Sequence, residues 1–198
     1  MKKLLKSRIL SSFMTLTMIV GLITVPVKEV KAEKASGVVI SEVYGGGGNF
    51  GSKYKNDFIE LYNPTDSDIN IDGWKLQYAS ATGEFGNNNC ELSGLIKANS
   101  YFLTQQAAGT SADGGKELLP DPDILGNLNM GATNLKVRLV NAEGASIDFV
   151  GVGTATTFEG DKAAPAISAS LSAQRKDNDG SNNGITNGWD TKDRKSVV

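Results

Sequence analysis

Short apolar runs closed by turn residues recur along the chain from residue 38 onward. Residues 38–44 and 57–63 are rich in β-branched and aromatic side chains, and clusters of Gly, Asn and Pro follow each run, as expected for strands. Beyond a turn at residues 63–66, apolar and polar side chains alternate through Trp74, Lys75, Leu76, Gln77 and Tyr78. A period of two indicates a strand with one buried face. We predict two β-hairpins in series at the start of an all-β domain.

The middle of the chain predicts a further strand pair and then a long connection. Residues 90–96 and 101–105 have the composition of two strands joined by a short polar turn. The alternation then stops over residues 107–133, which contain several Gly and Pro residues. A connection of this length in a compact domain usually has structure of its own. We therefore predict a short helical turn near residues 116–119.

Regular alternation returns at residue 135. Residues 135–140 and 147–150 flank a turn at residues 141–144 and predict an antiparallel hairpin. Residues 170–175 are the last predicted strand. Seven or eight strands at this spacing favour a β-sandwich.

Several short motifs resemble the lamin-tail domain, an immunoglobulin-like β-sandwich. They are Ile-Ser-Glu-Val at residues 40–43, Ile-Glu-Leu-Tyr-Asn at residues 59–63 and Gly-Trp-Lys-Leu at residues 73–76. Landmarks similar to those of the secreted bacterial branch follow in order, among them YGGGGN at 44–49, NDFIEL at 56–61, LQYASATG at 76–83 and SAQRK at 172–176. The resemblance covers roughly residues 37–176 and implies an immunoglobulin-like sandwich over that range.

The N-terminus has the features of a secretory signal peptide. Four basic residues lie within residues 2–8, an apolar stretch covers residues 9–25, and Val30-Lys31-Ala32 resembles a cleavage site. We predict a signal peptide at residues 1–32; the alternative is a retained anchor helix, although the apolar run is short and polar for a membrane span. Cleavage would leave a secreted, extracellular chain without a membrane segment. A short linker at residues 33–36 would precede the sandwich at 37–176.

Removal of the leader makes the chain acidic. It takes away six of the 20 basic and one of the 22 acidic residues, leaving 14 and 21, a net charge of minus seven. Nonspecific nucleic-acid binding depends on Lys and Arg that displace counterions. No basic stripe is visible before the small cluster at Arg175 and Lys176. The balance therefore disfavours nonspecific DNA binding.

The sequence contains no histidine. This absence removes Ser-His-Asp and Cys-His nucleophilic sites and His-ligated zinc. The acidic residues show no pairing typical of a glycosidase. We predict that the chain is not an enzyme and has no catalytic or cofactor-binding residues.

The glycine-rich stretch formally matches nucleotide-binding patterns. Gly46 to Gly51 satisfies G-x-G-x-x-G, and Gly46 to Lys53 nearly satisfies a phosphate-binding P-loop. Both motifs require a helix that begins at the last glycine, whereas here the chain continues into a predicted strand. We therefore expect a flexible connection between the first two strands. Phe50 and Tyr54, at its end, could still contact a partner, because exposed loops on sandwiches often bind.

Three single residues have a structural and a functional interpretation. The lone cysteine, Cys90, is expected to be a small buried residue rather than an intermolecular disulfide partner. Trp74 is expected in the core rather than as a stacking platform. Asp148, between two apolar residues, either faces water or is buried and hydrogen-bonded to a neighbouring loop, and we favour a structural over a catalytic role.

Residues 176–190 contain the one predicted metal site. Asp177, Asp179, Ser181 and Asn183 alternate around Gly180, as in the first half of a calcium loop. The twelfth position of that loop is Gly188 instead of a bidentate Glu, so a polar turn without calcium is the competing interpretation. The segment 177–198 also lacks the closing strand that the resemblance implies, and we expect it to be an incomplete domain end.

These observations favour a secreted, noncatalytic lamin-tail-like module that binds or displays a ligand. The partner would be an extracellular protein, a glycan or DNA. The alternative is the N-terminal accessory domain of a secreted endonuclease/exonuclease/phosphatase-type nuclease whose catalytic domain lies outside this chain. A continuing reading frame in the gene would distinguish the two.

Overall fold

The computed structural model describes residues 33–35, 37–160 and 162–175, and the backbone at 189–190 and 196–197. This part of the chain is all-β and contains no helix, so it also offers no helix able to cross a bilayer. The strands are β1 Glu33–Lys34, β2 Val39–Tyr44, β3 Asn56–Asn63, β4 Ile69–Asn70, β5 Lys75–Ser80, β6 Asn89–Glu91, β7 Leu95–Ile96, β8 Ser100–Ala108, β9 Ile124–Leu125, β10 Leu135–Val140, β11 Ser146–Val152, β12 Ala173–Gln174, β13 Trp189–Asp190 and β14 Ser196–Val197. Eight of these strands have only two or three residues, so the described chain has more and shorter strands than the seven or eight predicted.

Two sheets form an immunoglobulin-like sandwich, as predicted. One has the order β14-β12-β2-β3-β8-β9 and the other the order β11-β10-β5-β6; within them only β8 and β9 pair in parallel. Alternate residues of both sheets supply the core, which includes the fully buried Ile40, Ile59, Leu61, Leu76 and Val137. The pairs β1-β13 and β4-β7 form two small separate sheets.

Only the first of the two predicted hairpins exists. Strands β2 and β3 pair antiparallel, but β3 takes β8 as its second neighbour, while β5 lies in the other sheet between β10 and β6. Because β2 and β8 occupy both edges of β3, no edge remains for β5. The chain instead crosses between the sheets after β4, where Ile71 is fully buried.

The predicted strand pair at residues 90–96 and 101–105 is also wrong. The first run divides into β6, which pairs with β5, and β7, which pairs with β4, whereas β8 pairs with β3 in the opposite sheet. Gly94 separates β6 from β7 with a φ of 108°, a conformation that ends regular strand pairing.

The helical turn predicted near residues 116–119 is absent, because this segment finds its backbone partners in another loop. Glu117 forms a parallel bridge with Tyr54, and the Lys55 N–H donates to the Glu117 carbonyl at 2.9 Å. The predicted hairpin of β10 and β11 is confirmed. The strand predicted at residues 170–175 shortens to β12, and it is not the last, because β14 pairs with its outer edge.

Candidate functional site

The glycine loop, defined as residues 45–48 between β2 and β3, is a packing junction. Its four glycines are buried, whereas the tip at residues 49–51 is exposed. A Cβ on Gly47 would lie 2.1 Å from the Asn56 carbonyl carbon, and one on Gly46 would lie 2.7 Å from the Ala169 Cα. A Cβ on Gly114 would likewise clash with the backbone of Gly48. The glycines thus allow backbones to touch, which corrects the expectation of an open, flexible connection; the expected absence of a following helix is confirmed.

Asp57 holds this junction together by accepting hydrogen bonds from two loops. Its carboxylate accepts the Gly47 N–H at 2.8 Å and the Met130 N–H at 2.9 Å, and the residue is 3% exposed. Burial raises the pKa of Asp57 to about 6, although both hydrogen bonds act in the opposite direction. Both carboxylate oxygens are therefore used to hold two loops together.

The aromatic residues near the glycine loop divide into one exposed and one packed ring. Phe50 is 79% exposed at the tip. Tyr54 lies edge-on to Tyr44 and Phe58, with ring centroids 6.2 and 6.1 Å apart. Of the two rings expected to be free for a partner, only Phe50 is available.

Asp148 lies on the inner face of β11 and pairs with Arg175. The two side chains are almost completely buried, and the Ile40 N–H donates to the same carboxylate oxygen at 2.7 Å. The Arg175 Nε in turn donates to the Ile40 carbonyl at 3.0 Å. The structural role predicted for Asp148 is confirmed. Arg175, part of the small basic cluster in the sequence, is buried, and its charge is used inside the sandwich.

The outer face of the β10–β11 hairpin carries a cleft of about 430 Å³, here called the outer cleft. Val137 and Leu139 point into the core, so alternation turns Lys136 and Arg138 outward to form its floor. Phe149 is the register partner of Arg138 on β11 and lies beside it. Ser146 completes the floor.

Two segments cover this floor. Glu84 and Phe85, after β5, form one wall, and Thr157, Phe158 and Glu159, after β11, form the other. The second wall depends on Gly151, the register partner of Lys136, because a Cβ there would lie 2.4 Å from the Thr157 carbonyl oxygen. The Thr156 N–H holds the segment in place by donating to the Ala81 carbonyl at 2.9 Å.

Both cations of the floor lie over the ring of Phe85. The Lys136 Nζ is 5.7 Å and the Arg138 Cζ 4.4 Å from the ring centroid, which are favourable cation–π distances. Phe149 meets Phe85 edge-on at 5.7 Å. Lys136 is only 1% exposed. Within the part of the chain that the structure describes, neither cation forms an ion pair.

Arg138 has only part of its hydrogen-bonding capacity in use. Its Nε donates to the Gln77 side-chain oxygen at 2.6 Å, which fixes the guanidinium plane. Among the described residues, the other two guanidinium nitrogens of Arg138 have no hydrogen-bond acceptor. The group is therefore oriented by Gln77, but its remaining N–H donors are not used. The arrangement can bind a compact anion and an apolar surface together.

The sequence interpretation missed the outer cleft. In residues 135–140, which the alternation predicts as a strand, Lys136 and Arg138 fall on the face opposite Val137 and Leu139, and such a face usually points to solvent. Their spacing and the position of Phe149 across the hairpin were visible in the sequence. The covering segments were not visible, since they reach the sheet through tertiary contacts at Gly151 and Ala81.

Some of the remaining predicted residues lie in the described part of the chain, and others lie outside it. Cys90 is buried and free, as predicted, and Trp74 packs half-buried against the core. The four residues of the calcium hypothesis, Asp177, Asp179, Ser181 and Asn183, lie outside the described residues. Within the described ranges, no group of three His, Cys, Asp or Glu side chains could hold a metal ion.

Comparison with known families agrees with this architecture. No curated protein matched the sequence in a similarity search. The family model described as Lamin Tail Domain matches residues 31–154, a range that includes the glycine loop and the whole β10–β11 hairpin. The chain therefore belongs to the lamin tail domain family, an immunoglobulin-like, noncatalytic domain type.

Proposed function

We propose that this protein is an exported, noncatalytic binding module whose ligand occupies the outer cleft. One observation carries the proposal: Lys136 is 1% exposed, lines the cleft and has no carboxylate partner among the described residues. The ammonium group of Lys136 thus has neither full hydration nor a counter-charge, which is costly to folding. Such a group is more readily explained by a ligand than by stability.

The described acidic residues support a role without catalysis. Asp57 uses its two oxygens on backbone N–H groups, and Asp148 is paired with Arg175. Both arrangements hold parts of the fold together, so neither of these two carboxylates is directed at a substrate. The sequence also lacks histidine, the commonest general base near neutral pH.

Export and the nuclease alternative stay predictions. The leader-like composition of residues 1–32 supports export. Sequencing the mature N-terminus from culture medium is expected to give Glu33. A protein that keeps residues 1–32 and stays with cells would contradict export, and a continuing nuclease frame would favour the accessory-domain alternative.

A ligand screen on the purified chain tests the binding function. Thermal unfolding is measured with neutral sugars, acidic sugars, acidic peptides and single-stranded oligonucleotides, in parallel with the double variant Lys136→Met/Arg138→Met. We expect one class to raise the Tm of the native chain with increasing concentration and to leave the double variant unchanged. If no class stabilises the native chain, or if the double variant responds equally, the cleft is not its binding site.

The calcium hypothesis is tested separately. Asp177, Asp179, Ser181 and Asn183 offer oxygen ligands of the kind that calcium prefers. Millimolar calcium is expected to raise the Tm of the native chain, and Asp177→Asn/Asp179→Asn to remove the increase. No increase in the native chain would contradict calcium binding.

A further inference from the structure

We infer that the ligand of the outer cleft is an acidic sugar residue, one that carries a carboxylate, hydroxyl groups and an apolar C–H face. This inference rests on the proposed binding function and adds the ligand class. Each of the three parts of such a sugar has a counterpart in the cleft.

The carboxylate would lie at the floor, between Lys136 and Arg138. Both groups stand over the Phe85 ring and lack an ion pair among the described residues. The Gln77 contact at 2.6 Å turns the guanidinium so that its remaining N–H groups are left for another acceptor. An Arg fork with a neighbouring ammonium group suits a carboxylate, because charge-assisted hydrogen bonds are the strongest of their kind.

The C–H face of the sugar would lie against the aromatic rings. Phe85 and Phe149 are fixed edge-on at 5.7 Å, and Phe158 is 37% exposed at the opposite wall. Aromatic rings offer a large, rigid contact surface at low conformational cost. A cleft of about 430 Å³ lies within the usual range for small-ligand sites of roughly 300–1,000 Å³.

The polar residues of the walls select a sugar over a simpler anion. Glu84, Ser146, Thr157 and Glu159 line the same cleft. Carboxylates and side-chain hydroxyls accept hydrogen bonds from ligand hydroxyl groups. An aromatic acid would bring no hydroxyl donors and would meet two carboxylates, so these residues would oppose its binding.

The two wall carboxylates also limit the charge of the ligand. They partly offset the two floor cations, and the predicted mature chain has a net charge of minus seven. A polyanion would be repelled by this surface, and phosphate-backbone contacts normally need several basic residues. A single carboxylate on a neutral hydroxylated ring matches the local charge best.

Chemical-shift titration of the ¹⁵N-labelled full chain tests this assignment. Sodium glucuronate is the probe, and sodium chloride at equal ionic strength corrects for salt. Glucose is the same ring without the carboxylate, benzoate is an anion with a ring but no hydroxyls, and N-acetylglutamate amide represents an acidic peptide side chain. We expect saturable shifts at Phe85, Lys136, Arg138 and Phe149 with glucuronate, and affinity at least about tenfold weaker for the other three.

Variants decide whether the shifts come from the cleft. Lys136→Met and Arg138→Gln are each expected to weaken glucuronate binding about tenfold or more, which is the size of one lost charge-assisted hydrogen bond. Lys75→Met is the matched control, since Lys75 is a lysine of the same sheet that is already paired with Glu91 at 2.9 Å. It is expected to bind as the native chain does.

The outcomes separate the ligand class from the proposed function. If benzoate or the glutamate derivative binds the cleft as well as glucuronate does, the sugar assignment is wrong and the binding function stands. If glucuronate shifts persist in Lys136→Met and Arg138→Gln, or if no probe saturates, the assignment of an acidic sugar to this cleft is wrong. The wider screen above then decides whether the cleft binds another class.

Discussion

The glycine loop has a distinctive sequence and a packing role, whereas the outer cleft has an ordinary sequence and is the proposed binding site. The loop contains four consecutive glycines and formally matches two phosphate-binding patterns, yet its atoms are buried against the backbone of Asn56 and Ala169. The cleft arises from Lys136 and Arg138, two positions in an ordinary alternating strand. The conspicuous motif is explained by packing, and the ordinary positions line the cleft that we propose as the binding site.

The difference lies in what the charges and polar groups do in each region. At the glycine loop, Asp57 satisfies two backbone N–H groups with one carboxylate. In the cleft, Lys136 is equally buried but has only the Phe85 ring beside its charge. Asp57 is thus satisfied inside the fold, whereas the charge of Lys136 has no ion-pair partner among the described residues.

The largest effect is expected from Gly47→Ala. The new Cβ would lie 2.1 Å from a backbone carbon of Asn56, and backbone atoms there cannot move without disturbing β3. We expect a loss of about 4 kcal/mol or more in the free energy of unfolding, measured by urea denaturation. Gly86→Ala is the control, because a Cβ there meets nothing within 4 Å. Equal stability of the two variants would contradict the packing account of the loop.

The next effect separates a buried ion pair from an exposed one. Asp148→Asn leaves the Arg175 guanidinium buried without its counter-charge, and breaking such a pair costs about 3–5 kcal/mol. Glu91→Gln, which breaks the exposed pair with Lys75, is expected to cost less than about 1 kcal/mol. Denaturation curves of the two variants test this. Similar losses would mean that the burial of the Asp148–Arg175 pair has no energetic importance.

A smaller effect concerns pH. Burial raises the pKa of Asp57 from 3.8 and that of Glu60 from 4.5, each to about 6. Between pH 4 and 6 the folded chain therefore keeps protons that the unfolded chain has released, so these groups make stability fall as pH rises through that window. We expect them to make the protein about 2–3 kcal/mol more stable at pH 5 than at pH 7.5.

The variant Asp57→Asn sharpens the pH measurement. It removes one of the two titrating carboxyls, so roughly half of the pH dependence between pH 4 and 6 is expected to disappear, whatever the absolute stability of the variant. An unchanged slope in Asp57→Asn would show that the carboxyl of Asp57 titrates alike in the folded and unfolded chain.

Local patterns predicted the sandwich and part of its topology. Composition and flanking turn residues located β2 and β3, and alternation located β5, β10 and β11. The predicted pairing failed for β5, which follows β3 in sequence but joins the other sheet. Which strands become neighbours depends on edges that other segments occupy, and local sequence does not contain this information.

The same limit explains the missed site. The sequence showed that Lys136 and Arg138 share a strand face, but the burial of Lys136 requires Phe85 and the segment that crosses Gly151. Asp148 was easier to interpret because a lone carboxylate between apolar neighbours already indicates a specific partner. A single unusual residue can therefore be interpreted from the sequence, whereas a site formed by ordinary residues is recognised only in the folded structure.

The free energy of unfolding of Lys136→Met tests most directly whether the cleft serves binding rather than folding. Methionine has a similar length and no charge. A cation–π contact worth about 2 kcal/mol at a desolvated site is lost, while the cost of an incompletely hydrated, unpaired ammonium group disappears. Equilibrium urea denaturation is expected to give a free energy equal to or higher than that of the native chain. A decrease clearly greater than about 2 kcal/mol would mean that Lys136 is needed for the fold and would contradict the account.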